Sequence, residues 1–316
     1  MDKLDKKILE QLILNSRIPI KKLAKNIGAS REVVNYRINK LNKNLIKEYT
    51  TIINFKKLGY KKYTCFMKFK GISLEKEKEI LTSLVKNELI MFLSPIIGKW
   101  NVAFDIITKD QKEVEETINK ILSFCSDYLD TYVLLGTNIE EQTFPTKYIG
   151  IIETKKNIKK QSNYKLDQTD KRILELLSNN SRLSFIELSK KLNIIPNTIK
   201  YRLKNLEKTG VILGYSISID FKKLDFELYN LQLKSNNFKN KRLQDFFKSH
   251  PKVVYYYKYL GNENWDIDIG LIIKDSIELR EFIIDLRKNF KEVAIYEIYI
   301  LTEIIKDYYP KGIFKN

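Results

Sequence analysis

The sequence predicts an α+β protein in which one two-domain unit occurs twice in the same chain. The sequence repeats itself with a shift of about 165 residues, and each repeat changes from a helical spacing of apolar residues to an alternating, β-branched one. Residues 5–10 match residues 170–175, residues 15–17 match residues 180–182, and Trp100 matches Trp265. With 316 residues, the chain has room for several domains.

Composition shifts along the repeat predict the domain boundaries. The stretch from Glu153 to Lys165 is polar, basic and poor in apolar residues, as a linker would be. We therefore predict a helical domain at residues 1–60, an α+β domain at 61–148, a linker at 149–165, a second helical domain at 166–226 and a second α+β domain at 227–316.

Each unit begins with three short amphipathic helices. In the first copy Leu4, Ile8 and Leu12 lie one turn apart, and Gly28 ends the second helix. The β-branched, alternating segment 47–53 then predicts a wing hairpin. Three helices and a wing within residues 1–60 predict a winged helix-turn-helix domain.

The second copy repeats this plan. Ile173 and Leu177 lie on its first helix, and Pro196 begins its third helix. Gly210, which has no counterpart in the first copy, allows an easy turn from the third helix to the wing.

The rest of each unit predicts strand, helix, strand, strand, helix, strand, which is the ferredoxin-like arrangement. The strands are expected near 62–70, 89–97, 101–108 and 128–135, and near 227–234, 252–260, 266–273 and 293–301; the helices are expected near 74–87 and 110–125, and near 239–249 and 275–290. In such a sheet both helices cover one face. We expect the two uncovered faces to pack together as an intramolecular pseudo-dimer.

The net charge of +18 is concentrated in the helical domains. Residues 1–60 hold 14 basic against five acidic residues, and residues 165–226 hold 12 against seven. Two basic regions separated by nearly neutral domains suit a polyanion that is bound at two points. The charged N-terminus, the lack of a long apolar run and the distant pair Cys65 and Cys125 predict a cytoplasmic protein with buried free thiols and no membrane span.

The outward faces of the third helices hold the candidate DNA contacts, because these helices enter the major groove in helix-turn-helix proteins. Basic side chains could neutralise phosphates, and the amides, hydroxyls and tyrosines could meet bases or sugars. The candidates are Ser30, Arg31, Asn35, Tyr36, Arg37 and Lys40 in the first copy and Asn197, Thr198, Lys200, Tyr201, Arg202 and Lys204 in the second. Alternatively, these are ordinary solvated residues, and the tyrosines only pack between helices. The two outward sets differ, which predicts an asymmetric DNA site.

These motifs resemble the Lrp/AsnC (leucine-responsive regulatory protein/asparagine regulator) family, and the resemblance covers both units. The first copy carries the matching residues 4–9, 15–17 and 36–38, and the second carries 169–174 and 210–215. The resemblance implies a transcription regulator that binds double-stranded DNA, dimerises through its ferredoxin-like domains and often assembles further. In this chain it implies a covalent pseudo-dimer.

The resemblance also implies a small-molecule effector, such as an amino acid, near a Gly-x-x-Asp loop. The matching positions are Gly98 and Asn101 in the first copy and Gly261 and Asp266 in the second. The first copy has Asn in place of Asp, and the second loop is two residues longer. Both departures set the chain apart from the usual effector site.

Three other interpretations remain open. The tyrosines at 255–257, 296 and 299 suit strand packing better than a ligand cage. A basic DNA-compacting protein has similar charge and differs in sequence preference. Some relatives of the family are tetrapyrrole decarboxylases that depend on histidines, whereas this chain has only His250. We therefore expect no enzyme activity, no cofactor and no metal.

Overall fold

The computed structural model describes residues 1–137, 142–151, 165–235 and 241–307. Copy one (residues 1–151) contains α1 Lys3–Leu14, α2 Ile20–Ile27, α3 Arg31–Asn44, β1 Ile46–Ile53, β2 Lys61–Phe69, α4 Leu74–Lys86, β3 Ile90–Ile97, β4 Val102–Thr108, α5 Gln111–Cys125, β5 Leu129–Thr137 and β6 Gln142–Thr143. The predicted linker lies mostly outside the described residues, which stop at 151 and resume at 165.

Copy two (residues 165–307) repeats the order of elements. It contains α6 Gln168–Asn179, α7 Phe185–Leu192, α8 Pro196–Lys208, β7 Ile212–Ile219, β8 Glu227–Ser235, α9 Lys241–Ser249, β9 Val253–Leu260, β10 Ile267–Ile273, α10 Ser276–Asn289, β11 Val293–Leu301 and β12 Lys306–Asp307. The predicted α+β fold class, with two helix-turn-helix domains and two ferredoxin-like domains, is confirmed.

The same local signals begin the first helix of each copy. Asp2 and Asp5 form a capping box at the start of α1, and Asp167 and Asp170 form the same box at the start of α6. Capping of this kind stabilises a helix by about 1 kcal/mol. The apolar faces of the three helices then pack into one buried cluster in each copy.

The predicted wing hairpin is wrong in its pairing. β1 of copy one pairs antiparallel with β7 of copy two, so that Tyr49 lies opposite Ile217. We call this pair of strands the inter-copy ribbon. Alternation predicts a strand but does not specify its partner. No tight hairpin turn follows β1, because residues 54–60 hold a 3-10 turn that ends at Gly59 and leads into β2.

The inter-copy ribbon completes the cores of both helix-turn-helix domains. Ile217 of copy two lies in the buried cluster of α1–α3, and Ile53 of copy one lies in the cluster of α6–α8. Each domain therefore depends on a strand from the other copy for part of its apolar core.

The ferredoxin-like sheets have the strand orders β5-β2-β4-β3 and β11-β8-β10-β9. α4 and α5 cover one face of the first sheet, and α9 and α10 cover one face of the second. The opposite faces pack together as predicted, around Phe66, Trp100 and Trp265. The sheets also join along both edges, where β11 pairs with β3 and β5 pairs with β9.

The last segment of each copy crosses to the other copy. β6 pairs with β9, and β12 pairs with β3. The buried Lys147 ammonium donates hydrogen bonds to the carbonyl oxygens of Phe247 (3.0 Å) and His250 (2.8 Å) at the end of α9. Lys306 donates in the same way to Val85 (3.0 Å) at the end of α4. Cations satisfy the unpaired carbonyls of a helix C-terminus, so these two lysines tie the copies together.

The cysteines are free and buried, as the sequence predicts. Burial raises the pKa of both Cys65 and Cys125, which keeps the thiols protonated and unreactive. Within the described ranges, no helix is both long and apolar enough to cross a membrane.

Candidate nucleic-acid interface

α3 and α8 present matching faces to solvent. Each helix buries one apolar stripe against the other two helices of its domain, which leaves the opposite face open. Tyr36 is 68% exposed on α3, and Tyr201 is 67% exposed on α8. The tyrosines therefore do not pack between helices, and this alternative is wrong.

Most of the predicted DNA contacts lie on these open faces. The exposed ones are Ser30, Arg31, Asn35, Tyr36, Lys40, Asn197, Lys200, Tyr201 and Lys204, and Thr198 is half-buried. Ser30 has a structural role as well, because its hydroxyl oxygen accepts a hydrogen bond from the backbone N–H of Val33 at 3.2 Å.

Arg37 and Arg202 differ from the other ten residues, because each is held by carboxylates of its own copy. Arg37 Nη1 lies 2.5 Å from Asp2 and 3.2 Å from Asp5. Arg202 Nη1 lies 2.6 Å from Asp167 and 3.0 Å from Asp170.

Electrostatics favour these ion pairs. The backbone N–H of Asp5 and the side chain of Arg37 hold the pKa of Asp2 below its ordinary value. Both arginines therefore tie the third helix to the start of the first helix in the same copy. They position the outward faces of α3 and α8 through this contact.

A buried serine pair lies where the two helix-turn-helix domains meet. The hydroxyl oxygens of Ser16 and Ser181 are 2.6 Å apart, and both residues are fully buried. Arg17 Nη1 donates hydrogen bonds to the carbonyl oxygens of Ser181 and Leu183.

Backbone bonds reinforce this contact. The N–H of Ser16 donates to the carbonyl of Tyr215, and the N–H of Ser181 donates to the carbonyl of Tyr49. The sequence marks Asn15-Ser16-Arg17 only as a repeated triplet and assigns it no role. The exact recurrence of this triplet at residues 180–182 is the sequence signal that could have indicated a structural role.

A cleft of about 380 Å³ lies between the copies at the predicted effector loops. Lys99 and Trp100 of copy one line it together with Gly261, Glu263 and Trp265 of copy two. Tyr296 also lines it, and its hydroxyl accepts a hydrogen bond from Lys99 Nζ at 2.7 Å.

Of the four predicted effector residues, only Gly261 lines this cleft. Asn101 instead accepts a hydrogen bond from the backbone N–H of Phe69 at 2.7 Å. Asp266 is paired with Lys258 and with Lys234. At Gly98, a side chain would lie 2.9 Å from the carbonyl oxygen of Ile298, so this position requires glycine for close packing.

Two kinds of candidate remain, the tyrosines of copy two and His250. Tyr255 stacks on Tyr257 with ring centres 4.8 Å apart, and Tyr299 is buried between the sheets. His250 packs against Phe246 and Phe282. The packing interpretation therefore holds for Tyr255, Tyr257 and Tyr299, whereas Tyr296 is partly exposed and lines the cleft.

Comparison with known proteins agrees with this geometry. A profile of the AsnC-type helix-turn-helix domain matches residues 1–42, and a profile of winged helix-turn-helix DNA-binding domains matches residues 166–212. An uncharacterised HTH-type transcriptional regulator of Pyrococcus furiosus is 31% identical over 143 residues, which are 45% of this chain and 95% of that protein. The chain belongs to the Lrp/AsnC family.

Further relatives have the same character. The HTH-type transcriptional regulator LrpA of Pyrococcus horikoshii is 44% identical over 66 residues, which are 21% of this chain and 47% of that protein. The transcriptional regulator AzlB of Bacillus subtilis is 34% identical over 125 residues, 38% of this chain and 78% of that protein. A single unit of the family therefore corresponds to about half of this chain.

The fold of the whole chain resembles that of the siroheme decarboxylase NirDL. The TM-score is 0.65 with 14% sequence identity, and the alignment covers 99% of this chain and 96% of that one. At this identity the similarity concerns the fold alone. It shows that both units, in this mutual arrangement, form a known architecture.

Proposed function

We propose that this Lrp/AsnC-family regulator binds double-stranded DNA as a pseudo-dimer formed by one chain, with α3 and α8 contacting two half-sites. The observation that carries the proposal is the inter-copy ribbon, which joins the two helix-turn-helix domains while Tyr36 and Tyr201 stay exposed. Arg31 and Lys200 add positive charge to the open faces. Phosphate neutralisation by such side chains supplies much of the affinity for DNA.

The two half-sites are expected to differ in sequence. Arg31 on α3 stands where α8 has Pro196, and Asn35 stands where α8 has Lys200. Selection from random duplexes should therefore yield an asymmetric site. Enrichment of a perfect palindrome would contradict this part of the proposal.

Fluorescence anisotropy tests the proposal directly. Duplex DNA from the gene's own promoter should bind at least about a hundredfold more tightly than a random duplex at moderate salt. Tyr36→Ala and Tyr201→Ala should each weaken promoter binding about tenfold, as expected for the loss of a base or sugar contact. Tyr132→Ala, a partly exposed tyrosine on β5, is the matched control and should change nothing.

The same titration separates specific regulation from DNA compaction. A compacting protein would bind promoter and random DNA alike and would lose both with rising salt. A regulator keeps its preference as salt rises, because base contacts are less sensitive to salt than phosphate contacts. Loss of the preference would favour compaction.

The proposal includes an effector, such as an amino acid, that binds in the inter-copy cleft. Residues of both copies line the cleft, so that an occupant would contact both. The cleft volume of about 380 Å³ suits a small molecule. Calorimetric titration with a panel of amino acids should find one that binds. Lys99→Ala should weaken that binding, and unchanged binding would place the effector elsewhere.

We further propose that the protein is cytoplasmic and that chains associate. The buried free thiols suit a reducing compartment. Ile97 and Leu260, at the equivalent ends of β3 and β9, are 63% and 61% exposed, and we propose that they contact another chain. Light scattering should show an oligomer that Ile97→Lys dissociates; a monomer in the unaltered protein would contradict association.

The whole-chain similarity to NirDL makes tetrapyrrole decarboxylation the second candidate. We expect no such activity, because the single histidine of the chain is committed to packing. His250 Nδ1 accepts a hydrogen bond from the backbone N–H of Lys252 at 3.2 Å, and burial lowers the pKa of His250 to about 4. Release of carbon dioxide from siroheme on incubation with the protein would overturn this expectation.

A further inference from the structure

The starts of α3 and α8 differ in how the helix is capped. Ile195 precedes α8 at the position where Ser30 precedes α3. The Ser30 hydroxyl caps α3, whereas no side chain caps α8. The Ile195 side chain is 67% exposed. Copy two therefore lacks a capping hydrogen bond and presents an aliphatic group to solvent in its place.

The backbone holds this aliphatic group in place. Pro196 is the first residue of α8, and a proline disfavours helical conformations for the residue before it. Ile195 accordingly has φ −60° and ψ 143°, in the extended region. The backbone at Ile195 is thus set before any partner binds, so that the isoleucine stays at the entry to the helix.

Exposed lysines lie on both sides of Ile195 in the sequence. Lys200 and Lys204 are exposed on α8, and Lys190 and Lys191 are exposed at the end of α7. Four ammonium groups attract a polyanion more strongly than they attract an apolar protein surface. The partner that suits both features is DNA, provided that the base edge next to Ile195 carries an apolar group.

Thymine carries such a group, because its 5-methyl lies in the major groove. We propose that Ile195 recognises thymine through this methyl group and that Ser30 makes no equivalent contact in copy one. The inference rests on the proposed DNA binding and assigns one base preference to copy two. It also gives a physical reason for an asymmetric site.

Replacing single thymines by deoxyuridine tests this inference, because the exchange removes the methyl group and keeps the base pair. The probe is the duplex enriched by selection, with each thymine replaced in turn. We expect at least one replacement to weaken binding about fourfold, which corresponds to about 0.8 kcal/mol for a buried methylene-sized group. In Ile195→Ser the same replacement should have no effect.

Two further variants complete the test. Ile277→Ser removes an isoleucine that is 68% exposed on α10, and it should keep the sensitivity to deoxyuridine. Ser30→Ile should add a new sensitive thymine in the half-site of copy one.

The outcomes distinguish this inference from the proposed function. Equal binding of thymine and deoxyuridine duplexes by the unaltered protein would overturn the inference and leave DNA binding intact. Sensitivity that persists in Ile195→Ser would also overturn it. Absence of any specific binding would refute the proposed function, and the inference with it.

Discussion

The two helix-turn-helix domains share their internal contacts and differ in their outward residues. Both have the capping box, the arginine held by two aspartates, and a serine in the buried pair between the domains. On the open faces, Ser30, Arg31, Asn35 and Asn39 of copy one stand where copy two has Ile195, Pro196, Lys200 and Lys204. The duplicated chain thus keeps the residues that fold and orient the domains, and it keeps the exposed Tyr36 and Tyr201, while several other exposed residues of the third helices diverge.

The two facing sheets show a different contrast. In copy one the cross-strand pair Phe66 and Ala103 is apolar, whereas the equivalent pair in copy two is Gln232 and Asp268. Asp268 is 1% exposed, and its carboxylate accepts a hydrogen bond from the Tyr299 hydroxyl at 2.5 Å. Copy one also buries an acid, Asp105, at a different position, where it accepts a hydrogen bond from the Thr64 hydroxyl at 2.6 Å and pairs with Lys62. The two faces therefore differ in where the buried acid lies and in what it contacts.

The largest expected effect concerns the buried acid of copy two. Burial raises the pKa of Asp268 to about 8, from an ordinary value near 4. Between about pH 4 and pH 8, Asp268 therefore keeps a proton in the folded protein that it releases in the unfolded chain. The contribution of Asp268 to stability is complete below about pH 4 and is lost as the pH rises to about 8.

Chemical denaturation at several pH values measures this contribution. Relative to Asp268→Asn, the unaltered protein should lose several kcal/mol of unfolding free energy between about pH 4 and pH 8, since one pKa unit corresponds to about 1.4 kcal/mol. Subtracting the two curves removes the opposite contribution of His250, whose pKa burial lowers to about 4. Parallel curves would show that Asp268 ionises in the folded state as it does in the unfolded chain.

The next effect concerns the paired arginines. Arg202→Ala leaves Asp170 without its cation in a site where the Asp170 side chain is 1% exposed, whereas the matching Asp5 side chain is 9% exposed. We expect a loss of about 3 kcal/mol for Arg202→Ala and a smaller loss for Arg37→Ala, because removing the cation next to a buried carboxylate is costly and Asp170 is the more deeply buried of the two. Urea denaturation measures both, and exposed Lys40→Ala should change stability by less than about 0.5 kcal/mol. A loss below about 0.5 kcal/mol in the arginine variants as well would contradict this structural role and would leave Arg37 and Arg202 available as DNA contacts.

Local periodicity explains how much of the fold the sequence predicts. Val34, Ile38 and Leu41 recur at helical spacing and are buried on α3, and the strands of both sheets lie near their predicted positions. Such patterns depend only on neighbours along the chain. The facing of the two sheets also followed from the sequence, because the duplication supplied a second apolar face.

Partners that are distant in sequence were harder to predict. Segment 47–53 shows a strand but not its partner, β7. Arg37 lies at an outward helical position, yet its long side chain reaches back to α1. The repeat held the missing signal: the spacing of Asp2, Asp5 and Arg37 recurs unchanged in copy two, whereas many neighbouring outward residues change.

The smallest expected effect concerns the charge on the second helices. Lys21 is exposed in the first turn of α2, and the equivalent position in α7 is Ile186, which is 61% exposed. If copy one contacts a phosphate there, Lys21→Gln removes one ion contact, whereas Ile186→Gln removes none. The slope of log affinity against log salt should fall by about 0.9 in Lys21→Gln and stay unchanged in Ile186→Gln. The reverse change Ile186→Lys should steepen it by about the same amount, because it gives copy two the contact that only copy one has. Equal slopes in all three variants would show that the two copies approach the DNA backbone through other residues.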